Sequence, residues 1–154
     1  MIRVELNNKT ELHITEAVLQ EIFSQTISRL ELPEELLGRY FEVSVAFVSD
    51  NEIAMLNARY RKKDSPTDIL SFAEYPKLKD MCQEKAKEIF LGELIVSPEF
   101  MRASAEANSA SFRYEVPYIL SHGLLHLFSL QHGEKMFGIQ DEVAMIMQEK
   151  IGNE

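Results

Sequence analysis

Three of the four histidines in this 154-residue chain lie within eleven residues, in the spacing His122-x3-His126-x5-His132. On an α-helix, four residues advance by about 400°, so the first two imidazoles project from one side, about one turn apart. The opposite side carries four large apolar residues, Leu120, Leu124, Leu127 and Phe128. We therefore predict an amphipathic helix that packs its apolar side on a core and ends near Leu130, after which His132 returns to the other two rings.

Three neutral imidazoles and one open position form an arrangement suited to catalytic zinc. With no carboxylate ligand, the ion keeps its full double charge, which lowers the pKa of its bound water and attracts anions. The alternative is that these are ordinary core or surface histidines that align by chance. We interpret His13, which stands alone near the N-terminus, as an ordinary histidine without a metal. The close spacing favours a metal site, so we predict one Zn²⁺ per chain, held by His122, His126 and His132.

The residue after the first histidine is Gly123, where zinc proteases of the His-Glu-x-x-His type carry their general base. The usual route of peptide hydrolysis therefore has no base in this motif. A peptidase stays an alternative only through its similar histidine spacing. A second alternative is an adaptor protein in which the metal is structural and no turnover occurs.

The charge balance limits how this chain can bind an anion. It has 16 Lys and Arg against 25 Asp and Glu, a net charge of −9, which excludes a broad basic face for nucleic acid. The densest basic cluster comprises Arg59, Arg61, Lys62 and Lys63. Arginine binds phosphate oxygens in two-point geometry, but cations at a helix C-terminus also complement the helix dipole. The cluster alone does not decide between substrate binding and a solvated helix end.

Length and patterning predict an α+β fold, with residues 1–154 as a single domain. We expect a mixed sheet of about four strands, about five helices and a zinc-protease-like arrangement of the histidine helix. The predicted strands are residues 2–6, 43–48, 69–72 and 90–96. The predicted helices are capped at Thr15, Ser49 and Ser97, with two more over residues 116–130 and 141–150. The connector 77–87 is expected to be partly helical or mobile.

Other features bear on location. One cysteine, Cys82, excludes an intrachain disulfide framework and suits a reducing compartment. No apolar stretch approaches the roughly 20 residues of a membrane helix, and the alternating N-terminus is unlike a secretory signal. We therefore expect a cytoplasmic protein with no membrane partner.

Residues 122–132, 56–72 and 91–97 resemble signature motifs of the YbeY family of bacterial metal-dependent endoribonucleases. Residues 122–132 (HGLLHLFSLQH) are similar to the signature H-G-x-L-H-L-x-G-Y-D-H. Residues 56–72 (LNARYRKKDSPTDILSF) resemble L-N-x-x-Y-R-x-K-D-x-P-T-D-V-L-S-F, and residues 91–97 (LGELIVS) resemble L-G-D-I-x-I-S. The segments occur in the family's order and together span most of residues 51–132.

The resemblance implies a single-strand-directed, metal-dependent ribonuclease that acts in 16S ribosomal RNA 3′-end maturation and ribosome quality control. It implies zinc on the three histidines and a functional arginine at Arg61, for which we predict a catalytic role. Arg59, Lys62 and Lys63 are then the predicted substrate-binding residues. The expected partners are single-stranded ribosomal RNA precursor and a small ribosomal subunit or ribosome-assembly protein.

The sequence departs from the family pattern near the third histidine. Ser129, Leu130 and Gln131 replace Gly, Tyr and Asp, so a helix-ending glycine and a possible hydrogen-bond partner of a ligand are lost. Ala73 replaces a proline.

Glu115 lies seven residues before His122 and so near the histidine side of the helix. Pro117, however, suggests that the helix only begins there. We therefore assign Glu115 at most a supporting position behind the ligands.

Overall fold

The computed structural model of the chain describes residues 1–152. Its elements in chain order are β1 (Ile2–Asn8), α1 (Glu16–Ile27), β2 (Tyr40–Phe47), α2 (Asp50–Arg61), β3 (Ile69–Ala73), α3 (Leu78–Cys82), β4 (Glu88–Val96), α4 (Pro98–Ala107), α5 (Phe112–Leu127) and α6 (Glu134–Met147). Short 3-10 turns lie at Glu34–Leu36 and Gln148–Lys150. The predicted α+β fold is confirmed.

The sheet has the strand order β1-β2-β4-β3. Strand β2 is parallel to β1 and β4, whereas β3 runs antiparallel to β4 and leaves one edge of the sheet uncovered by another strand. The sheet is therefore mixed and four-stranded, as predicted. Gly92 of β4 allows β3 to approach closely, because its φ is 136° and a Cβ there would meet the Phe72 carbonyl oxygen at 2.1 Å.

The two faces of the sheet carry separate apolar clusters. The larger face packs against α1, α5 and α6, with Phe23 and Leu120 among its fully buried side chains. On the other face, Ile53 of α2 packs with Leu70 and Ile95 in a smaller cluster. The helices α5 and α2 consequently lie on opposite faces of the sheet.

The three predicted N-caps are confirmed. The Thr15 hydroxyl accepts a hydrogen bond from the Val18 amide at 3.2 Å, and the Ser49 hydroxyl accepts one from the Glu52 amide at 3.2 Å. The Ser97 hydroxyl does the same for the Phe100 amide at 3.3 Å. Each cap satisfies an amide that would otherwise have no partner in the first helical turn.

Two helix starts were predicted wrongly. Helix α5 begins at Phe112, four residues before the predicted position, and contains Pro117. The proline removes one helical hydrogen bond, and the burial of Val116 and Pro117 offsets the loss of that bond. Helix α6 begins at Glu134 instead of residue 141 and runs through Gly138. Its buried Met136, Ile139, Val143 and Met147 recur at helical spacing, so packing stabilises a segment that its glycine weakens.

The count of helices also differs from the expected five, since the described residues form six α-helices. The additional helix is α3, a single short segment inside the connector 77–87 that was expected to be partly helical. Within residues 1–152, no helix combines the length and apolar character that crossing a membrane requires.

Candidate metal centre

The three predicted metal ligands converge in space. His126 Nε2 lies 2.9 Å from His122 Nε2 and 3.0 Å from His132 Nε2. His122 and His126 are half-buried on α5, and His132 is exposed in the loop that follows. Helical spacing aligns the first two rings, and the reversal of the chain after α5 brings the third ring back to them.

The reversal is a helix-capping turn. The Leu130 amide donates to the Leu125 carbonyl at 3.0 Å and the Ser129 amide donates to the His126 carbonyl at 2.9 Å, which is a Schellman motif. Helix α5 therefore ends at Leu127, three residues before the predicted Leu130. Ser129 adopts a left-handed φ of 65° and donates its hydroxyl to the Pro76 carbonyl at 3.1 Å. The turn thus forms with serine where the family signature has glycine.

A buried glutamine on α6 contacts the first ligand. Gln140 Oε1 lies 3.1 Å from His122 Nδ1, and Gln140 Nε2 donates to the Tyr118 carbonyl at 3.2 Å. Only 1% of Gln140 is exposed. Gln140 was not among the predicted site residues. Its signal in the sequence is a polar side chain within the apolar stripe of α6, between Ile139 and Val143.

The surroundings keep the two helical imidazoles neutral. Burial, reinforced by the neighbouring His122 and His132 rings, lowers the pKa of His126 to about 4. Burial also lowers the pKa of His122, against an opposing contribution from its hydrogen bond with Gln140. At neutral pH both rings therefore have an unprotonated nitrogen, which is the form that binds a metal ion.

The histidine cluster fits a single tetrahedral ion. Zinc with Zn–N distances of about 2.0–2.1 Å requires nitrogens roughly 3.3–3.4 Å apart, a few tenths of an ångström more than the spacing observed here. His122 Nδ1 faces Gln140, and His126 has a further hydrogen bond with the Leu130 backbone. The Nε2 atoms of the two helical rings thus face each other, an arrangement that a shared cation stabilises.

Gly123 lies where α5 packs closely on strands β3 and β4. A Cβ at this position would meet Ile69 Cδ1 at 2.5 Å and Leu94 Cδ2 at 3.0 Å. A side chain at residue 123 would therefore point into the packing between α5 and strands β3 and β4. Residue 123 faces the packing between the helix and the sheet and supplies no carboxylate, which argues against the peptidase alternative.

Arg61 reaches the free edge of β3 from the last turn of α2. The Asp68 carbonyl accepts a hydrogen bond from the Ser97 amide and the Glu74 amide donates to the Leu91 carbonyl, so backbone groups of the even-numbered residues face β4. The backbone of Ser71 consequently faces outward, and its carbonyl accepts a hydrogen bond from Arg61 Nη2 at 2.7 Å. The positive charge of Arg61 also contributes to lowering the pKa of His126. The structure thus brings Arg61 within electrostatic range of the histidine cluster.

The other predicted substrate-binding residues lie at the same end of α2. Arg59 places its guanidinium carbon 5.5 Å from the Tyr60 ring centre. Lys62 caps the helix with a left-handed φ of 58°, and Lys63 follows it in the exposed loop. Their participation in the site stays a prediction.

Glu115 lies on the histidine side of α5, because the helix begins before it. Seven residues of helix advance about 700°, which places Glu115 roughly 20° from the direction of His122. Burial and the nearby Asp68 carboxylate raise the pKa of Glu115. The Asp68 carboxylate also partly opposes the burial that lowers the pKa of His122. Both carboxylates therefore lie near the histidine face, as expected of groups behind the ligands, although Asp68 was not among the predicted site residues.

Fold and site together define an α+β protein with a three-histidine centre shaped for one metal ion. A family model described as Endoribonuclease YbeY matches residues 4–151. The chain is 36% identical over 146 residues to an endoribonuclease YbeY of Carboxydothermus hydrogenoformans, covering 95% of this chain and 90% of that one. The chain therefore belongs to the endoribonuclease YbeY family, as the resemblance indicated.

Other comparisons agree. The chain is 33% identical over 138 residues to an endoribonuclease YbeY of Bacillus subtilis (strain 168), covering 84% of this chain and 88% of that one. A solution structure of a Thermotoga maritima protein matches with a TM-score of 0.59 and 24% identity, covering 97% of this chain and 91% of that chain. That likeness shows the fold.

Proposed function

We propose that this protein is a zinc-dependent endoribonuclease that cleaves single-stranded RNA. The observation that carries the proposal is the convergence of His122, His126 and His132. Arg61, held at the free edge of β3 by the Ser71 carbonyl, lies near enough for its charge to contribute to lowering the pKa of His126. Membership of a family named for endoribonuclease activity supports the reaction class.

Zinc fits the ligand set, because three imidazole nitrogens without a carboxylate are typical of catalytic zinc sites. When bound by His122, His126 and His132, the ion supplies Lewis acidity towards a phosphate oxygen. The half-buried rings supply fixed, neutral ligand nitrogens at neutral pH. The attacking oxygen is supplied by water or by the ribose 2′-hydroxyl of the RNA.

Arg61 is the residue proposed to stabilise charge on the reacting phosphate. Its Nη2 hydrogen bond to Ser71 and the 5.2 Å distance from its guanidinium carbon to the Phe72 ring centre fix the side chain at the strand edge. The guanidinium keeps further N–H donors for phosphate oxygens. Fixed donors of this kind stabilise developing charge without reorganising during the reaction.

Single-stranded RNA suits the surface beside Arg61. Tyr60 is 54% exposed, lies next to Arg59 and contacts the Phe72 ring edge-on at a centroid distance of 5.5 Å. Unpaired bases expose faces that stack on such rings, whereas paired bases do not. Lys62 and Lys63 add local positive charge for phosphates in a chain that is acidic elsewhere.

The proposed cellular role is maturation of the 16S ribosomal RNA 3′ end and ribosome quality control in the cytoplasm. The net charge of −9 supports a substrate that is presented by a small ribosomal subunit or an assembly protein, because few phosphates can be neutralised on this surface. We further propose that residues 1–154 act as one domain, of which residues 153–154 lie outside the described part.

The test compares cleavage of a single-stranded RNA and its duplex by protein loaded with one zinc ion per chain. We expect cleavage of the single strand that stops when a chelator removes the metal, and much slower cleavage of the duplex. A protein that binds zinc and ribosomal particles but cuts neither RNA would contradict the proposal and favour the adaptor alternative.

A further inference from the structure

We infer that Gln140 is a positioning residue that sets the tautomer and the ring orientation of His122 for metal binding. The inference rests on the proposed function in one respect, that the three histidines hold a metal ion. The residue itself touches neither the ion site nor the substrate region, since it acts through the far nitrogen of the His122 ring.

The two hydrogen bonds of Gln140 fix which way its amide points. A backbone carbonyl only accepts, so the group that bonds to the Tyr118 carbonyl at 3.2 Å is the amide nitrogen. The amide oxygen therefore faces His122 Nδ1 at 3.1 Å. Because that oxygen only accepts, Nδ1 must carry the proton.

The position of the proton determines what the other ring nitrogen can do. A neutral imidazole with its proton on Nδ1 has its lone pair on Nε2. His122 Nε2 is the atom that faces His126 Nε2 at 2.9 Å in the histidine cluster. Gln140 thus selects the tautomer in which His122 presents a metal-binding lone pair to the centre of the cluster.

The same contact limits rotation of the ring. Tyr118 and His122 lie one helical turn apart on α5, so the Gln140 amide bridges two points of one helix from α6. With 1% of Gln140 exposed, water has little access with which to replace either bond. In this chain the hydrogen-bond partner of His122 therefore comes from α6.

The test measures zinc affinity by competition with a chromophoric chelator for Gln140→Leu, Gln140→Glu and the wild type. Gln140→Leu removes the acceptor, and we expect zinc affinity to fall by about 10- to 100-fold, as for other hydrogen-bond partners of metal ligands. Gln140→Glu keeps an acceptor and should bind zinc at least ten times more tightly than Gln140→Leu. The matched control is Gln20→Leu on α1, which removes a side-chain acceptor for the Val4 amide and should leave zinc affinity within about twofold.

A second measurement reads the tautomer directly by ¹⁵N NMR of the metal-free wild type at neutral pH, so the inference stays testable if Gln140→Leu fails to fold. We expect His122 with its proton on Nδ1. A proton on Nε2, an unchanged affinity in Gln140→Leu, no recovery in Gln140→Glu, or an equal loss in Gln20→Leu would each overturn the inference. Neither readout uses RNA, so failure of the proposed nuclease activity is distinguishable from failure of the inference.

Discussion

The histidine cluster and the basic end of α2 approach the same strand edge but are built differently. The cluster is anchored by two helices, two of its three rings are half-buried, and His122 Nδ1 is hydrogen-bonded to Gln140 of α6 on the side away from the cluster. Arg59, Lys62 and Lys63 are exposed, and of the four cations Arg61 is the one fixed at the edge by the Ser71 carbonyl. Metal binding depends on atomic positions, whereas attraction of phosphates acts over several ångströms and tolerates mobile side chains.

The largest effect is expected from removing one of the three metal-binding side chains. For His126→Ala we expect loss of stoichiometric zinc binding and a fall in RNA cleavage on the order of 1,000-fold or more, because the middle ring contacts both others. Zinc content and single-turnover cleavage check this. His13→Ala, in the segment between β1 and α1, is the control and should keep both properties; equal losses in the two variants would show that the cluster has no special role.

The second test asks whether Arg61 belongs with the positioned groups or with the mobile ones. Arg61→Lys keeps the charge but loses the planar fork, so we expect turnover to fall by about 10- to 100-fold while RNA affinity changes by less than about threefold. Separate measurement of cleavage rate and of binding to uncleavable RNA checks it. Full activity in the lysine variant would place Arg61 among the solvated cations, and a loss confined to affinity would make it a phosphate anchor.

A smaller effect is expected from the exposed lysines. With few phosphates neutralised, the slope of log affinity against log salt should lie on the order of −1 to −3 for single-stranded RNA. Lys62→Ala and Lys63→Ala should each make this negative slope shallower by about 0.7. Lys150→Ala, at the C-terminal turn, should leave the slope unchanged. A wild-type slope steeper than about −5 would mean that the surface neutralises many more phosphates than this account allows.

The smallest effect concerns the acid group behind the cluster. Burial raises the pKa of Glu115, so ionisation costs more in the folded than in the unfolded state, and stability falls as pH rises through the folded pKa. Glu115→Gln removes this cost. We expect the variant to be more stable than wild type at pH 7 by a few tenths of a kcal/mol after solvent screening, with the difference vanishing near pH 4.

Urea unfolding at the two pH values measures the Glu115 effect, with Glu106→Gln on an exposed position of α4 as the control. A Glu115→Gln variant that is less stable than wild type at pH 7 would show that the ionised carboxylate makes favourable contacts in the folded protein.

Local sequence signals predicted much of the fold because their physical causes are local. Thr15, Ser49 and Ser97 cap helices through side-chain contacts three residues away, and alternating apolar residues place the strands. The start of α6 escaped prediction, because Gly133 and Gly138 signal a break locally while burial of Met136 and Met147 supplies the compensating free energy only in the folded chain.

The site likewise contains contacts that the sequence predicts and contacts that it does not. Helical spacing alone brings His122 and His126 to one side, so their proximity was predictable from the sequence. The partnership of Gln140 with His122 and the position of Arg61 at the carbonyl of Ser71 depend on how α6 and α2 pack on other elements. Such contacts between separate elements leave little local signal beyond a polar residue at a core-facing position.

The proposed mechanism requires one metal ion on the three histidines for RNA cleavage. The direct measurement is a zinc titration of metal-free protein, in which bound zinc and the cleavage rate of single-stranded RNA are followed together. We predict that both rise in parallel and reach a plateau at one zinc ion per chain. Full cleavage by the metal-free protein, or a plateau in zinc binding with no gain in cleavage, would show that the metal ion is not what RNA cleavage requires.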